Sequence, residues 1–196
     1  MLPLTLKLHN FLSYRENVPT LHLEDVHFAC LCGANGHGKS ALLDAITWAI
    51  WGKARNQRQE QLLHQGQQEM RVELEFEARE QRYRVVRRYS RAGARGARSL
   101  ELAVAVGDGY RAITGNSLRA TEAYLEDLLS MDYDTFVRSA FLMQGRADLF
   151  TMSTLSQRKE VLAKVLGLEL YDRLEARARA HTREAQARLQ TAGAIR

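Results

Sequence analysis

The sequence predicts an α/β protein on three observations. A mostly apolar run from Val26 to Cys32 leads into a glycine-rich turn at 33–38 and then into a helical pattern from Lys39 to Trp51. From residue 71 onward, alternating stretches succeed one another at hairpin spacing. From Leu168 the pattern is helical to the last residue. A chain of 196 residues has room for one domain, or for one domain and an extension.

Composition narrows the function classes. Hydrophobic residues make up 45% and charged residues 26%, as in folded globular proteins, which excludes a chain disordered throughout. The longest uncharged apolar stretch, Ala45 to Trp51, falls far short of the roughly 20 residues of a spanning helix, so no membrane partner is expected. Met1-Leu2-Pro3-Leu4 lacks the basic start and apolar core of a secretory signal. The only two cysteines, Cys30 and Cys32, cannot form a disulfide scaffold, and the cytoplasm is the expected location.

The net charge of +5 is unevenly spread. Residues 53–98 carry +6 and residues 152–196 carry +4, while 1–52 carry −1 and 99–151 carry −4. Two basic segments suggest a polyanionic partner.

Each element follows from its pattern. Leu4-Thr5-Leu6-Lys7-Leu8 alternates as a strand, Asn10 to Asn17 is a polar loop, and Leu21-His22-Leu23 is a short strand. Val26 to Cys32 reads as a strand buried on both faces, with both cysteines in the core. In the helix from Lys39 to Trp51, Leu42, Leu43, Ile46, Ala49 and Ile50 recur at helical spacing, and Gly52 is its stop. Val72, Leu74 and Phe76 alternate with Glu73, Glu75 and Glu77. Tyr83 to Tyr89, Leu100 to Val106 and Tyr110 to Ile113 continue an antiparallel meander, with Gly107-Asp108-Gly109 as a hairpin turn. Leu118 to Leu129 is an amphipathic helix, Asp134 to Arg138 a helical turn and Phe141 to Gln144 a strand end. Ser156 to Leu166 is a helix closed by Gly167. Beyond it, Leu168, Tyr171, Leu174, Ala178, His181, Ala185 and Ala192 approximate the spacing of a coiled-coil start.

Gly33-Ala34-Asn35-Gly36-His37-Gly38-Lys39-Ser40 matches G-x-x-x-x-G-K-[ST] at every fixed position, between an apolar run and a helix. The glycines let the backbone wrap closely, so that N–H groups point at phosphate oxygens. The helix contributes the positive end of its dipole. Lys39 supplies a charge for the β- and γ-phosphates, and the Ser40 hydroxyl is a magnesium ligand. His37 sits at a variable position and contributes its backbone N–H. Hydrolysis also needs an acidic group at the end of a second apolar strand, and no apolar run here ends in an Asp-Glu pair. Asp108 lies between two glycines in a turn, and no Ser-Gly-Gly signature occurs.

Several blocks together carry a family resemblance. They are Asn10-Phe11-Leu12-Ser13-Tyr14, the phosphate loop, Leu42-Leu43-Asp44-Ala45-Ile46, Trp51-Gly52-Lys53 and Phe141-Leu142-Met143-Gln144-Gly145-Arg146-Ala147-Asp148. Arg158-Lys159-Glu160-Val161-Leu162 and Leu166-Gly167-Leu168-Glu169 complete the set. The chain resembles the N-terminal part of the SbcC-type ATPases, the SMC-like coiled-coil subunits of double-strand-break repair nucleases. The resemblance implies a P-loop NTPase fold, as half of an ABC/SMC-type head that carries an antiparallel β meander and the start of an antiparallel coiled coil. Residues 1–167 would be the head segment and 168–196 the start of the coil.

It further implies ATP and Mg²⁺ as cofactors, with Gly33, Asn35, Gly36, His37, Gly38, Lys39, Ser40 and Ala41 on the nucleotide. Lys39 and Gln144 would be the catalytic groups, and Ser40 and Gln144 the metal-binding ones. The implied partners are a C-terminal segment of the same ATPase, a second head in a homodimer, a metal-dependent nuclease subunit and double-stranded DNA, in a cytoplasmic, nucleoid-associated setting. The ATPase would be incomplete and inactive without its C-terminal segment and dimerisation. One position departs from the pattern. Related heads often carry a basic residue directly after the Asn-Phe pair, where this chain has Leu12, with Arg15 three residues on. Leu63-His64-Gln65 falls where relatives place a nucleotide-contacting loop, and reads by itself as a polar connector.

Arg82, Arg84, Arg87, Arg88, Arg91, Arg95 and Arg98 crowd into 17 positions, and Arg88, Arg91, Arg95 and Arg98 are the candidates for DNA phosphate contact. The bland alternative is a solvated hairpin tip. Two other functions compete: a chromosome or recombination ATPase of SMC or RecF type without a nuclease, and a small P-loop kinase. The meander and the helical tail fit the kinase poorly.

Overall fold

The computed structural model describes residues 1–55, 58–91, 96–140, 152–166 and 168–193. They fall into two units, 1–133 and 134–196.

The first unit is a six-stranded antiparallel sheet with two helices on one face. Its strands are β1 (Leu2–His9), β2 (Leu21–His22), β3 (Glu69–Ala78), β4 (Gln81–Ser90), β5 (Ala97–Val106) and β6 (Gly109–Ala112), in spatial order β2-β1-β3-β4-β5-β6. The β3–β4 hairpin turns on Arg79 and Glu80, both with positive φ (49° and 61°), as a two-residue turn matched to strand twist requires. Arg79 offsets that backbone cost by donating from Nη2 to the Asp127 carbonyl at 2.6 Å.

The period-two pattern separates the two faces as expected. Leu4, Leu6, Leu8, Val72, Leu74, Phe76, Val85 and Leu102 are buried on the inner face. They pack against α1 (Lys39–Trp51), which buries Ala45, Trp48, Ala49 and Ile50, and α2 (Leu118–Leu129), which buries Leu125 and Leu128. The outer face carries charge pairs across the strands. Glu73 is 6% exposed, with Lys7 reaching it across from β1 at 3.5 Å and Arg71, two positions earlier on its own strand, at 2.5 Å. Arg88 pairs with Glu101 on β5, and Arg84 lies 4.2 Å from the centre of the Tyr110 ring.

One expectation is overturned. Val26 to Cys32 is not a buried strand: its residues are exposed, Phe28 at 91%, and both cysteines lie outside the core with their sulfurs 3.6 Å apart. Among the described residues, backbone hydrogen bonding from this stretch stops at Val26 N–H to the Leu23 carbonyl. An apolar run becomes a strand only where a neighbour takes up its N–H and C=O groups. None of the described strands runs beside this one.

The second unit contains α3 (Tyr133–Ser139, which begins on the last residue of the first), α4 (Leu155–Val165) and α5 (Glu169–Gly193). Helix α4 starts at a capping box, in which the Thr154 hydroxyl and the Gln157 side chain each satisfy the other's backbone N–H. Helix α5 has 25 residues, about 37 Å at 1.5 Å per residue. It is supported by i,i+4 ion pairs Glu175–Arg179 and Glu184–Arg188, at 2.5 and 2.7 Å. Tyr171 and Leu174 stay 66% and 51% exposed, at the spacing expected of a coiled-coil seam.

Candidate nucleotide site

The site is built at the N-terminus of α1. Helices α2 and α4 each start on a hydroxyl cap, Ser117 and Thr154. Helix α1 starts on Gly38, with no side-chain cap and no acidic residue in its first turn. Its leading N–H groups and the positive end of its dipole are therefore available to an anion, which is what a phosphate cradle requires. Asn35, Gly36 and His37 form an exposed turn, and Lys39 and Ser40 are half-buried at its base. The Lys39 ammonium folds back over the loop and donates to the carbonyls of Gly33 and Ala34 at 2.6 and 2.8 Å. The donor set fits a nucleotide triphosphate with its cation: N–H groups and an ammonium for the phosphates, and the Ser40 hydroxyl for the metal.

Gly38 ties this loop to the one after β1. Its φ is +82°, and a Cβ there would stand 3.0 Å from Ser13 Oγ and 3.1 Å from the Tyr14 ring. Tyr14 Oη donates to the Gly38 carbonyl at 3.2 Å, and burial pushes its pKa up. The replacement Gly38→Ala is expected to cost about 1–2 kcal/mol from the left-handed backbone alone, and more because the Tyr14 ring must move. Thermal denaturation should show Tm falling by several degrees, and by clearly less for Tyr14→Phe, which keeps the ring.

The loop itself is held from below. Phe11 is fully buried, with its ring centre 5.5 Å from that of Trp48, and Leu12 N–H donates to the Leu62 carbonyl at 2.7 Å. His64 joins the two segments: Nδ1–H donates to the Leu12 carbonyl at 2.6 Å, and Nε2 accepts from Arg15 Nε at 3.1 Å. Together these bonds select the neutral Nδ1–H tautomer of His64. His64, read in sequence as part of a polar connector, thus fixes Arg15 one residue beyond the tyrosine that touches the phosphate loop. Its only signal in the sequence was its place in the family pattern.

Asp44 lies on the other side of α1 and is 3% exposed. It accepts a fork from Arg55, Nε at 3.0 Å and Nη2 at 2.7 Å, which folds the chain after α1 back against the helix and raises the pKa of Arg55 through that bond.

The arginine run divides by strand alternation. Arg87 points inward and is 4% exposed. It donates from Nε to the Ala49 carbonyl at 3.0 Å, from Nη2 to the Ile50 carbonyl at 2.9 Å and from Nη1 to Glu122 at 2.7 Å. Burial lowers its pKa, while Glu122 opposes that shift. Arg88 is engaged with Glu101, and Arg91 is exposed, as is Arg98 near the start of β5. Arg95 and Gln144 lie outside the described residues. So the phosphate-loop candidates come together at one helix end; of the DNA-contact candidates, Arg88 and Arg98 line a common cleft and Arg91 is exposed beyond the end of β4. Among the described residues, no helix is long and apolar enough to cross a membrane.

Comparison with known proteins agrees with the motifs. The chain is 32% identical over 171 residues to the SbcC component of the SbcCD nuclease of Deinococcus radiodurans, covering 86% of this chain and 19% of that protein. It is 29% identical to the "DNA double-strand break repair Rad50 ATPase" of Thermoplasma volcanium, covering 87% and 18%. It is 30% identical to the "Probable DNA double-strand break repair Rad50 ATPase" of Aquifex aeolicus, covering 86% and 17%. The chain therefore spans about a fifth of the length of the curated relatives it matches. A solved structure of the recombination mediator protein RecF superposes with a TM-score of 0.40 at 16% identity, covering 51% of this chain and 26% of that one. The resemblance to SbcC-type ATPases is borne out by these relatives. Residues 5–192 match the AAA_23 model, an AAA domain, and the chain belongs to that family.

Proposed function

We propose that this chain is the N-terminal ATP-binding part of a DNA double-strand-break repair ATPase, in which ATP binding and hydrolysis control head dimerisation, DNA binding and a partner nuclease. The observation that carries the reading is the pairing of a complete phosphate cradle with an apolar stretch, Val26 to Cys32, that has strand character and lies exposed. A complementary segment of the same ATPase, bringing strands and the second acidic group, gives that stretch its neighbours. Ala29, Leu31 and Gly33 run directly into the cradle, so pairing there also orders the loop that takes the phosphates.

In this reading Gly33, Asn35, Gly36, His37, Gly38 and Ala41 line the phosphates, and Lys39 carries the charge that meets them. Ser40 and Gln144 hold Mg²⁺, which neutralises charge on the phosphates when bound. A second head closes over the nucleotide, and a metal-dependent nuclease subunit and double-stranded DNA complete the assembly. Residues 1–167 form the head segment and 168–196 the first part of the coil.

Turnover tests this directly. The chain alone is expected to bind ATP and to release no phosphate above background. Co-expression with the C-terminal ATPase segment of the full-length protein is expected to establish magnesium-dependent hydrolysis. Robust turnover by the chain alone, or phosphoryl transfer to a small acceptor, would overturn the split-head reading.

A further inference from the structure

A cleft of about 320 Å³ lies at the opposite end of α1 from the phosphate loop. Lys53, Arg87, Arg98, Trp51, Gln59 and Glu122 are among its lining residues. Its electrostatics are lopsided: with Arg88, four cations line it, set against the single carboxylate of Glu122.

The polar groups divide into committed and uncommitted ones. Arg87 at the floor spends Nε, Nη1 and Nη2 on two helix carbonyls and Glu122. Gln59 accepts from Trp48 Nε1 at 2.6 Å and donates to the Gly52 carbonyl at 3.1 Å. Trp51 Nε1 donates to the Met131 carbonyl at 3.2 Å. Arg98, by contrast, is exposed and has no hydrogen-bond or ion-pair partner among the described residues. Lys53 is exposed, with its ammonium 5.4 Å from the centre of the Tyr133 ring.

We propose that this cleft is a seat for a backbone phosphate of duplex DNA, gripped by Arg98 and Lys53 over a floor formed by the Arg87–Glu122 pair. The reading rests on the DNA-repair function proposed above. Two exposed cations at an open mouth supply charge without directional specificity, because the donors that could single out a small molecule are already spent. Charge without base readout is the chemistry of backbone contact. Arg91, exposed just beyond the end of β4, extends the same positive field toward the hairpin tip. Arg88 also lines the cleft but is already paired with Glu101, and the outer-face Arg71 is paired with Glu73, so neither is as free for a phosphate as Arg98.

The test is fluorescence anisotropy with a labelled 20-base-pair duplex of mixed sequence, at about 50 and 200 mM salt, a range over which phosphate contacts weaken measurably. The double variant Lys53→Gln/Arg98→Gln removes two exposed charges, and its Tm reports whether the fold is retained. The control Arg82→Gln/Arg84→Gln removes the same charge from the opposite end of β4. The seat variant is expected to lose about tenfold in affinity and to flatten the log–log salt slope by one to two. The control is expected to change by less than about twofold at equal salt. Equal losses in both variants would make the effect one of net charge and overturn the seat. Duplex binding by the parent chain with no loss in the seat variant would overturn the seat alone. Failure of the parent chain to bind duplex at either salt would overturn the seat, whereas the DNA-repair reading is decided separately by the turnover experiment above. Displacement of the duplex by inorganic phosphate at matched phosphate concentration would reassign the cleft to a small anion and overturn the proposal.

Discussion

Replacing Lys39 with alanine is expected to lower ATP affinity by about 100-fold or more, because two charge-assisted contacts to phosphate, each at about 1.5–3 kcal/mol, are lost together. The structure shows why no other group compensates. Among the cradle residues 33–41 Lys39 is the only full positive charge, and the rest of the attraction comes from N–H dipoles at an uncapped helix end. The same ammonium now satisfies the carbonyls of Gly33 and Ala34, so the variant also loses the clasp that holds the loop's first turn over the helix. Those contacts are exposed, and their loss is expected to cost the fold no more than about 1 kcal/mol. Titration with a fluorescent ATP analogue, alongside thermal denaturation without nucleotide, separates the two effects. Retained affinity in Lys39→Ala would mean that the cradle does not hold the β- and γ-phosphates.

Periodicity located most of this fold where an element has one buried face; α1 is instead buried nearly all round from Asp44 to Trp51, while Leu43 is 40% exposed. Val72, Leu74 and Phe76 are fully buried, and α1 and α2 lie where their apolar spacing puts them, Lys39–Trp51 and Leu118–Leu129. The same rule failed at Val26 to Cys32. An apolar run announces that something must cover it, but carries no record of what does, and here no described strand does. Gly52 was legible as the helix stop: its φ is +65° and its N–H donates to the Trp48 carbonyl at 2.8 Å.

The candidate site was legible where it is local in sequence and illegible where it is not. Gly33 to Ser40 is one contiguous motif. The contacts of Tyr14 with Gly38 and of His64 with Leu12 and Arg15 span 24 to 52 residues, and no pattern in a single sequence encodes them. The arginine run was misleading in a different way. A strand points successive side chains to opposite faces, so adjacent arginines such as Arg87 and Arg88 serve the core and the surface respectively. Counting charge along the chain could not separate them, whereas the alternation of buried Val85, Arg87 and Tyr89 does.

Arg87→Ala is the substitution expected to cost the fold most, about 3–5 kcal/mol, as when one partner of a buried ion pair is removed. Three losses combine. The carbonyls of Ala49 and Ile50 lose their donors, Glu122 keeps a carboxylate with no cation, and the negative end of α1 loses the positive charge that faces it, since the helix has no basic residue of its own in its last turn. Gly52 fits this clamp closely: a Cβ there would stand 2.7 Å from Arg87 Nη1. Arg87→Lys is expected to recover only part of the loss, because one ammonium cannot serve three partners fixed in the plane of a guanidinium fork. The pair Arg87→Met/Glu122→Leu removes both charges at similar volume and is expected to be more stable than Arg87→Ala, leaving chiefly the two unpaired carbonyls. Urea denaturation of the parent chain and the three variants ranks these losses. An effect of Arg87→Ala within about 0.5 kcal/mol of that of the exposed Arg82→Ala would show that the clamp contributes nothing. A large effect would mean that the helix carrying the phosphate loop is anchored at its far end by one side chain of the sheet, so that displacement of β4 relative to α1 reaches the nucleotide through a rigid element about 20 Å long.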